Sequence, residues 1–422
     1  MKLRIAVVGG GASGLAAAIA AARCGAQVTV LERGRQFGRK ILASGGGRCN
    51  FTNSCILPER YHGGSPDFIR EAISRFGFQE ALAFFSDLGL LAVEERDGRV
   101  LPRCGKAQAV LDVLKAELER LGVEIRLGVE AAQVLQEGGG FIIKTVAVPW
   151  KDEGSPIEAS GELSCDRVIL ACGGISYPQL GAGEGAYTLA RSLGHTVTAL
   201  SPAQVPLCVK ENALKRLHGL RVKAAVKTFR SQREAAQSEG EVLFTDYGIS
   251  GPAALDVSRA ALRDPGQGPA QGSLNLFPES SPQELRAMIE ARWTGRSQRP
   301  LKDFFLGMFP AQLSGAIADA LGWDPRRPLD SLGREGPQRV AALLQDWRFE
   351  ITAGRPWSEA MVTAGGVNTD EVDPHTFESR KVGGLYLTGE LLDVDGDSGG
   401  FNLHFAWASG LSAGRAAAIV DA

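Results

Sequence analysis

The order of apolar and polar positions begins with an apolar strand, a glycine-rich turn, a helix of small residues and a second apolar strand that ends at Glu32, all within residues 4 to 32. Helical spacing of the apolar positions then predicts helices over 68 to 89 and 106 to 121. Strand, helix and strand in this order are typical of a parallel α/β unit. The first part of the chain is therefore predicted to be an α/β domain.

Strands are also predicted over 123 to 148 and in the apolar run VILACGG from 168 to 174, with a polar loop at 150 to 162 between them. A short, continuous apolar run of this kind fits a buried strand of a parallel sheet. The two glycines that end it let a ligand approach the backbone closely. We therefore place Ala171 and Gly173 among the candidate ligand contacts.

After about residue 200 the pattern changes to short strands separated by turn signals, which predicts a small β-barrel or sandwich. The stretch SQREAAQSEG, residues 231 to 240, is predicted to be one of the turns. The predicted strands of this part are residues 205–209, 219–229, 241–245 and 273–277.

A mostly helical block is predicted from about residue 280 to 347. At its start Ser281 suits a helix N-cap, Pro282 suits the first helical position, and Glu284 completes a capping box. Because the composition shifts near residues 200, 280 and 350, we expect domain boundaries at these places.

The first turn carries the spacing Gly9-x-Gly11-x-x-Gly14, and Glu32 stands at the end of the second strand. Gly9 permits a tight turn, Gly11 lets the backbone approach a pyrophosphate, and Gly14 lets the helix pack closely on the strand. The phosphates would meet free N–H groups and the positive end of the helix dipole, and Glu32 would take a ribose 2′-hydroxyl. A chance glycine-rich turn is the alternative, but strand, helix and acid all fall at the required offsets. The motif predicts dinucleotide binding and leaves NAD and FAD open.

The closing segment, GGLYLTGELLDVDGDSGGFNLHFAWASG at 383 to 410, points to FAD. A strand ends at Gly389 and Glu390, and a helix of small and aromatic residues begins after a turn at Gly399 to Asn402. The acid can bond a ribityl hydroxyl. The helix start can aim N–H groups at the N1/O2 edge of a flavin, where its dipole stabilises the anionic reduced ring by roughly 0.3 to 2 kcal/mol. An ordinary strand and helix that close the sheet are the alternative.

The run SGGGRCN, Ser44 to Asn50, is a second candidate for contact with a flavin. Its three glycines allow the backbone to lie against a flat ring, and Arg48 can offset phosphate or reduced-flavin charge. Cys49 is the first candidate for a proton donor to a substrate carbon while flavin N5 delivers a hydride to the neighbouring carbon, and Asn50 brings an amide close to the ring. A structural role for Cys49 and a flexible surface loop are the alternatives.

Composition narrows the class of protein. The chain has 422 residues, 44% of them hydrophobic, and can bury a large core in two or three domains. Its formal net charge of -2 gives no global basic field that would draw it to nucleic acid or an anionic membrane. The absence of a signal-peptide core and of a bilayer-spanning apolar run predicts a soluble, cytoplasmic protein without membrane contact. The seven cysteines are scattered without a C-x-x-C pair, so neither a disulfide framework nor a zinc site is expected.

A run of acids near the C-terminus resembles a calcium-binding loop only in part. Asp393, Asp395 and Asp397 match the first three ligand spacings of such a loop. Ser398 replaces the required glycine, and His404 takes the place of the bidentate glutamate. We therefore expect no metal site.

Five long segments resemble one known family of FAD-dependent flavoproteins, which includes BaiN, YhiN and aminoacetone oxidase. The segments are GRKILASGGGRCNFTN (38–53), GGISYPQLGAGEGAY (173–187), LFTDYGISGPAAL (243–255), VTAGGVNTDEVDPHTFESRKVGGLY (362–386) and the closing run (383–410). The resemblance spans nearly the whole chain, and motifs of this length are much more specific than one glycine pattern.

The resemblance implies an α/β fold with a discontinuous, Rossmann-like FAD-binding domain that is formed by residues 1–200 and 356–422. An inserted β-barrel domain, residues 201–278 and 348–355, carries a small helical insert, residues 279–347. FAD is expected to bind without a covalent link. Together with Ala171 and Gly173, the expected cofactor contacts are Gly9, Gly11, Ala12, Ser13, Gly14, Glu32, Arg33, Lys40, Ser44, Gly45, Gly46, Gly47, Arg48, Cys49, Asn50, Gly389, Glu390, Gly399, Gly400, Phe401 and Asn402.

The chain departs from the family pattern at two places. Asp246 follows Thr245 where a Thr-His pair is expected, and His404-Phe405 stands where Gln-Trp is usual in the last helix. An acid in place of an imidazole would alter a substrate pocket if that loop faces the flavin, so the substrate does not transfer directly from the family. We interpret His404 as a histidine whose hydrogen bonds are satisfied within a packed helix.

Members of the family have been assigned to small-amine oxidation, to steroid-type reduction in bile acid metabolism and to dihydrouridine formation in ribosomal RNA, which share hydride transfer at flavin N5. A basic stretch from 210 to 233 could track RNA phosphates, although a solvated strand face is the favoured interpretation. Its basic residues are Lys210, Lys215, Arg216, Arg221, Lys223, Lys227, Arg230 and Arg233, with Glu211 as the acid among them.

These observations together predict an FAD-dependent oxidoreductase that transfers a hydride between non-covalent FAD and an unsaturated C=C bond. The substrate would be an enone-like small molecule or a pyrimidine of ribosomal RNA. A small-amine oxidase is the second hypothesis, and a non-catalytic flavin-binding module is the third. NADPH or NADH is a candidate electron donor, and the sequence leaves the oligomeric state open.

Overall fold

The computed structural model describes residues 2–95, 97–148, 161–263, 268–295 and 297–419. Most of the polar loop predicted at 150 to 162 lies outside the described residues. The chain divides into two compact units, one formed by Met1–Leu200 with Val362–Ala422 and the other by Ser201–Met361.

The elements of the described part of the chain are numbered in chain order. The strands are β1 (Arg4–Val8), β2 (Gln27–Glu32), β3 (Thr52–Asn53), β4 (Tyr61–Gly63), β5 (Ala92–Glu94), β6 (Arg99–Pro102), β7 (Glu124–Leu127), β8 (Val129–Glu137), β9 (Gly140–Ala147), β10 (Gly161–Cys165), β11 (Arg167–Leu170), β12 (Ser201–Ala203), β13 (Leu207–Val209), β14 (Arg221–Arg230), β15 (Arg233–Phe244), β16 (Gly248–Ser250), β17 (Ala270–Asn275), β18 (Trp347–Gly354), β19 (Val362–Ala364), β20 (Leu385–Leu387) and β21 (Val394–Gly396). The α-helices are α1 (Ala12–Arg23), α2 (Arg39–Ala43), α3 (Pro66–Ser74), α4 (Phe78–Asp87), α5 (Ala107–Arg120), α6 (Gly185–Ser192), α7 (Asn212–Lys215), α8 (Pro252–Leu262), α9 (Pro282–Thr294), α10 (Leu301–Phe304), α11 (Ala311–Leu321), α12 (Gly336–Gln345) and α13 (Phe401–Ala417). Short 3-10 helices span Ser44–Gly47, Pro58–Arg60, Pro178–Leu180, Leu329–Leu332, Thr369–Glu371 and Gly389–Leu391.

The core of the first unit is a five-stranded parallel sheet in the order β20-β11-β1-β2-β7. Its central strands are continuous apolar runs, because both faces of the sheet are covered. Since the strands are parallel, β1, β11 and β20 end at the same edge of the sheet, where Gly9, Ala171 and Gly389 follow them. The predicted Rossmann-type α/β arrangement is confirmed.

Helix α13, from the C-terminal end of the chain, packs against α1, from the N-terminal end, with the two backbones in contact. A Cβ atom added at Gly410 would lie 2.2 Å from Ser13 O, and one added at Gly414 would lie 2.2 Å from Ala17 O. Helix α1 is rich in alanine and buried from Ser13 to Ala21, so small side chains on both helices permit this approach. The contact holds the two ends of the chain together.

The first unit also contains smaller antiparallel sheets. One has the order β10-β9-β8, another has the order β3-β6-β5, and β4 forms a pair with β21. In this pair Tyr61 lies opposite Gly396. The pairing connects the segment after the glycine run at 44 to 50 with the residues that precede α13.

The second unit contains a closed barrel of six strands in the order β13-β16-β15-β14-β17-β18, which confirms the predicted barrel. The turn predicted at 231 to 240 is wrong, because β15 occupies most of that stretch and pairs with β14. The turn itself is only Ser231 and Gln232, whose φ angles of 46° and 64° are typical of a tight hairpin. The first part of β15 is largely exposed, so its polar sequence lacks the alternation that marks a half-buried strand.

Helices α9 to α12 lie between β17 and β18 in sequence. The capping box predicted at the start of α9 is confirmed, since Glu284 N donates to Ser281 Oγ at 3.2 Å and Ser281 N donates to Glu284 Oε2 at 2.9 Å. Barrel and helices share one hydrophobic core, to which Leu274, Leu285 and Trp347 belong. The domain boundaries proposed at 279 and 347 therefore separate elements that pack together.

The contact between α1 and α13 is tested by the substitution Gly414→Ala. Alanine inside a helix normally stabilises the fold by about 0.5–1 kcal/mol relative to glycine. At Gly414 the added methyl group would meet a backbone carbonyl. We therefore expect the substitution to lower the free energy of unfolding by about 1–3 kcal/mol, the usual cost of overpacking.

Gly315 in α11 provides the matched control, because a Cβ atom added there has no neighbouring atom within 4 Å. The substitution Gly315→Ala should leave the stability unchanged or raise it. Urea or thermal unfolding of the two variants measures the difference. Equal stability of the two variants would contradict the backbone contact between the helices.

Candidate functional site

The glycines of the first turn have the tight environments that the motif predicts. Gly9 has a φ angle of 110°, and a Cβ atom there would lie 2.5 Å from Ala171 O. A Cβ atom at Gly14 would lie 1.9 Å from Gly9 O, so α1 packs directly on the turn. A Cβ atom at Gly11 would have no neighbour within 4 Å, which leaves open space in front of the helix.

The start of α1 offers backbone N–H groups to that open space. Its N-cap residue is Gly11, no side chain caps the helix, and no acid lies in its first turn. The first N–H groups of an uncapped helix and its dipole together attract an anion such as a pyrophosphate. Gly389, at the end of β20, closes the other side, because a Cβ atom there would lie 2.6 Å from Ser13 Oγ.

The carboxylate of Glu32 is fixed by backbone groups on both sides. Gly10 N donates to Glu32 Oε2 at 2.8 Å, and Gly34 N donates to Glu32 Oε1 at 2.6 Å. An ionised carboxylate can accept about four hydrogen bonds, so each oxygen keeps capacity for a ribose hydroxyl. The neighbouring Arg33 lies 3.5 Å from Glu130 and is partly exposed.

The glycine run Ser44–Gly47 forms an exposed 3-10 turn. Gly45 and Gly46 have φ angles of 55° and 64°, in the left-handed region that favours glycine. A Cβ atom at Gly46 would have no neighbour within 4 Å, so the space in front of this part of the turn is open. Asn50 packs beneath the turn, where its amide would lie 3.5 Å from a Cβ atom on Gly45.

The start of α13 adjoins this turn. Gly399 and Gly400 have φ angles of 109° and 110°, Gly400 is the N-cap residue, and no side chain caps the helix. A Cβ atom at Gly400 would lie 2.5 Å from Thr52 O and 3.2 Å from Asn50 O. The structure therefore brings the glycine run and the start of α13 together, although some 350 residues separate them in sequence.

Phe401 and Asn402, the first two residues of α13, serve its packing. Phe401 is buried. The Asn402 side chain accepts from Gly396 N at 2.8 Å and donates to Gly396 O at 2.8 Å. Because the amide is engaged in this way, the contact with a ring that we predicted for these residues would come from the backbone of the helix start.

A lysine and two other groups surround the carboxylate of Glu390. Lys40 Nζ lies 2.6 Å from Glu390 Oε2, while Ser176 Oγ donates to Glu390 Oε1 at 2.8 Å and Thr363 N at 2.9 Å. Lys40 also donates to Ser176 Oγ at 3.0 Å. Two residues that the sequence predicted to lie at one site are thus in direct contact.

Sequence reasoning did not single out Ser176 and Thr363. Ser176 belongs to the run GGISYP directly after β11 and is completely buried. Thr363 Oγ1 accepts from the backbone N–H groups of Ile175 and Ser176 at 2.9 and 3.1 Å. A buried polar residue immediately after a strand end and two glycines is the signal that could have identified Ser176.

The structure places Cys49 in the hydrophobic core. Its side chain is 0% exposed and its φ angle is 63°. Burial raises the pKa of the Cys49 thiol to about 12. These features support the structural alternative for Cys49, and its role as a proton donor stays a prediction. Arg48 is exposed and forms an ion pair with Glu95.

Both departures from the family pattern have a defined place in the structure. His404 is completely buried; its Nδ1 lies 2.9 Å from Thr52 Oγ1 and its Nε2 lies 2.8 Å from Phe76 O. Burial lowers the pKa of His404 to about 4, so the ring is neutral near pH 7. The interpretation of His404 as a satisfied histidine is confirmed. Asp246 is exposed.

Acidic side chains neutralise most of the basic residues in the stretch from 210 to 233. Arg230 donates instead to the backbone carbonyls of Ala261 and Gly268. The ion pairs are Lys210–Glu350, Arg216–Asp319, Arg221–Glu241, Lys223–Glu239 and Lys227–Glu234. Three of these acids lie on β15, the strand next to β14, and are absent from the stretch itself. The pairing favours the solvated strand face over a track for phosphates.

Neither a metal-binding cluster nor a membrane-spanning helix occurs among the residues that the structure describes. In that part of the chain, three or more His, Cys, Asp or Glu side chains are nowhere grouped so that they could hold a metal ion. The same part contains no helix that is both long and apolar enough to span a bilayer.

Residues 3–416 match the family described as HI0933-like protein Rossmann domain. The 3-dehydro-bile acid delta(4,6)-reductase of Clostridium scindens is 38% identical to this chain, and the match spans 98% of this chain and 99% of the reductase. The ribosomal RNA dihydrouridine synthase of Escherichia coli is 31% identical, and the match spans 96% of this chain and 95% of the synthase. The solved structure of 3-ketosteroid-delta4-(5alpha)-dehydrogenase from Rhodococcus jostii covers 99% of this chain with 97% of its own. Its TM-score of 0.52 at 17% identity shows a common fold.

The burial of Cys49 predicts a specific pattern of alkylation. The thiolate is the form that reacts with iodoacetamide. Cys24, Cys55 and Cys104 are exposed and should be alkylated in the folded protein. Cys49 should stay unmodified in the folded protein, because it is buried and its pKa is raised to about 12. Mass spectrometry of peptides measures the pattern, and modification of Cys49 as fast as Cys104 would contradict its burial.

Proposed function

Because the chain belongs to the HI0933-like family of FAD-dependent flavoproteins, we propose that it reduces a carbon–carbon double bond conjugated to a carbonyl group in a small, largely apolar molecule. The observation that carries this proposal is the similarity to 3-dehydro-bile acid delta(4,6)-reductase, at 38% identity over nearly the full length of both chains. That name describes a reductase of a bile acid. The proposed substrate class therefore consists of steroid-like enones.

The residues present fit FAD. The uncapped start of α1 and the open space at Gly11 suit the pyrophosphate, and Glu32 suits the adenosine ribose. The open turn Ser44–Gly47 suits one face of a planar ring. When bound, FAD supplies the chemistry of hydride exchange with an unsaturated carbon. The chain binds and orients the ring, and the dipole at the start of α13 stabilises negative charge on it.

Reduction of a pyrimidine in ribosomal RNA is the second candidate. It is supported by relatives from Escherichia coli and Haemophilus influenzae that carry the name ribosomal RNA dihydrouridine synthase, at 31% and 29% identity. The ion pairs on β14 favour the small molecule, because cations that are already neutralised release few counterions from a nucleic acid.

Reduction of the substrate requires two electrons from a donor. We propose NADPH or NADH for this role, since nicotinamide nucleotides carry out hydride transfer to flavins. Cys49 and Asn50 remain candidates for catalysis in this proposal. The burial of Cys49 argues against a catalytic role for its thiol.

The proposed function is tested by following the oxidation state of the bound flavin without oxygen. The protein is reduced with NADPH, NADH or dithionite and is then mixed in a stopped-flow instrument with a steroid enone or with ribosomal RNA from a deletion strain. We expect the enone to reoxidise the flavin at least about tenfold faster than the RNA does, which corresponds to ~1.4 kcal/mol of activation free energy. The saturated ketone should form in the same experiment.

Salt and oxygen separate the other hypotheses. The rate with the enone should change little between about 50 and 200 mM salt, a range over which many nucleic-acid complexes lose about 10³–10⁵ in affinity. Faster reoxidation by RNA with a steep loss in salt would contradict the enone as substrate. Reduction of the flavin by aminoacetone and fast reoxidation by oxygen would indicate an amine oxidase. A flavin that no donor reduces would indicate a non-catalytic module.

A further inference from the structure

A histidine and an aspartate form a hydrogen-bonded pair just before α13. His62 Nε2 lies 2.7 Å from Asp397 Oδ1, and Arg60 Nη1 lies 3.2 Å from Asp397 Oδ2. His62 belongs to β4, whose pairing with β21 sets Asp395 opposite the histidine. Arg60, Asp395 and Asp397 are therefore the charged residues next to the imidazole on the two paired strands.

This pair is the accessible histidine–carboxylate pair of the molecule. The His62 side chain is 38% exposed, and that of Asp397 is 18% exposed. The described residues include all five histidines. Of the other four, His195 and His404 are buried, and His218 has no carboxylate contact among the described residues. His375 lies 3.6 Å from its carboxylate. Only the first pair combines access to solvent with a short hydrogen bond to an acid.

Hydrogen bonds tie Asp397 to the start of α13. Asn402 Nδ2 donates to Gly396 O at 2.8 Å and to Asp397 O at 3.4 Å. From the other side, Asp397 N donates to Arg60 O at 2.9 Å. Gly400, the N-cap of α13, lies only three residues after Asp397. The carboxylate that binds His62 thus belongs to the segment that leads directly into the start of α13, to which we assign contact with the flavin ring.

The geometry of the ring suits proton transfer. Nε2 is bound to the carboxylate, whereas Nδ1 of His62 has no hydrogen-bond partner among the residues that the structure describes. A carboxylate on one nitrogen fixes the orientation of the ring. The other nitrogen is then free to give a proton to a substrate. Cys49, by contrast, is 0% exposed.

On the basis of the proposed function, we propose that His62, oriented by Asp397, is the proton donor that completes reduction of the substrate double bond. FAD, when bound and reduced, would supply the hydride that adds to the carbon β to the carbonyl; as the π bond breaks, His62 would give a proton from Nδ1 to the α carbon. The substrate gains two electrons and the cofactor loses two. The neutral ring keeps its hydrogen bond to Asp397 and takes a proton back from solvent.

The first experiment compares the variants His62→Gln and His375→Gln, because His375 is a control of similar exposure, at 34%. In anaerobic stopped-flow mixing with a steroid enone, His62→Gln should reoxidise its flavin about 100-fold or more slowly than the wild type, the usual contribution of a general acid. Its FAD content and its rate of reduction by the nicotinamide donor should match the wild type. The pH profile of the wild-type rate should flatten in His62→Gln. His375→Gln should behave as the wild type in every respect.

A second measurement does not depend on turnover. Diethyl pyrocarbonate modifies accessible histidines, and the saturated ketone product should protect His62 from it but leave His375 reactive. Asp397→Asn should lower kcat for the enone with little change in KM, and added imidazole should restore part of the rate to His62→Ala. A purely structural role for His62 would give neither rescue by imidazole nor a flattened pH profile in His62→Gln.

The outcomes separate the two proposals. If the wild type reduces an enone while His62→Gln does so at the same rate and with the same pH profile, the proton-donor role is overturned and the proposed function stands. If the reduced wild-type protein transfers electrons to no enone, the proposed function is overturned, and the role of His62 with it. Loss of FAD from His62→Gln without rescue of His62→Ala by imidazole would also overturn the role.

Discussion

The backbone contact between α1 and α13 is the constraint on which the candidate site depends. Gly410 and Gly414 let the last helix lie directly on the carbonyl groups of Ser13 and Ala17. Ser13 is also the residue that Gly389 approaches from the end of β20. One turn of the first helix therefore meets two separate pieces of the C-terminal segment. A larger residue at any of these glycines would move the two halves of the cofactor site apart.

The two helices contribute in the same way to the electrostatics of the site. Both begin at a glycine without a side-chain cap, so both present free N–H groups and a positive dipole end. Two fixed carboxylates accompany these helix starts: Glu32 is held by backbone N–H groups, and Glu390 is held by Lys40 and Ser176. In the proposed site, donors for a pyrophosphate and for a flavin edge, with one acid for the adenosine ribose and one for the ribityl hydroxyls, would match the order of groups along FAD.

The sequence predicted those parts of the site that depend on local backbone geometry. Gly9, Gly14 and Gly400 occupy positions where an added Cβ atom would meet a carbonyl within 2.5 Å. Because such positions require glycine, they could be predicted from the glycines of the sequence. Contacts between distant side chains could not be predicted in this way. The bonds of Glu390 to Ser176 and of His62 to Asp397 join residues more than 200 positions apart, and no periodicity marks them. Only the resemblance to a family named Lys40 among the expected cofactor contacts, and it did not predict the bond of Lys40 to Glu390.

The error in the barrel has a related cause. The stretch from 231 to 240 looked like a turn because it is polar, yet an exposed strand at a barrel surface needs no apolar face. The basic residues of β14 left a track for phosphates open beside the favoured solvated strand face, because their acidic partners lie on another strand. In both cases the local composition was judged without its partner strand, which only the folded barrel supplies.

The central claim is that the two ends of one chain form a single site for non-covalent FAD. The most direct test is to purify the protein, denature it with heat or acid, and identify the released flavin by chromatography. We expect a yellow protein with a flavin spectrum and about one FAD per chain in the supernatant. A colourless protein that added FAD does not reconstitute, or a flavin that stays with the precipitated chain, would contradict the claim.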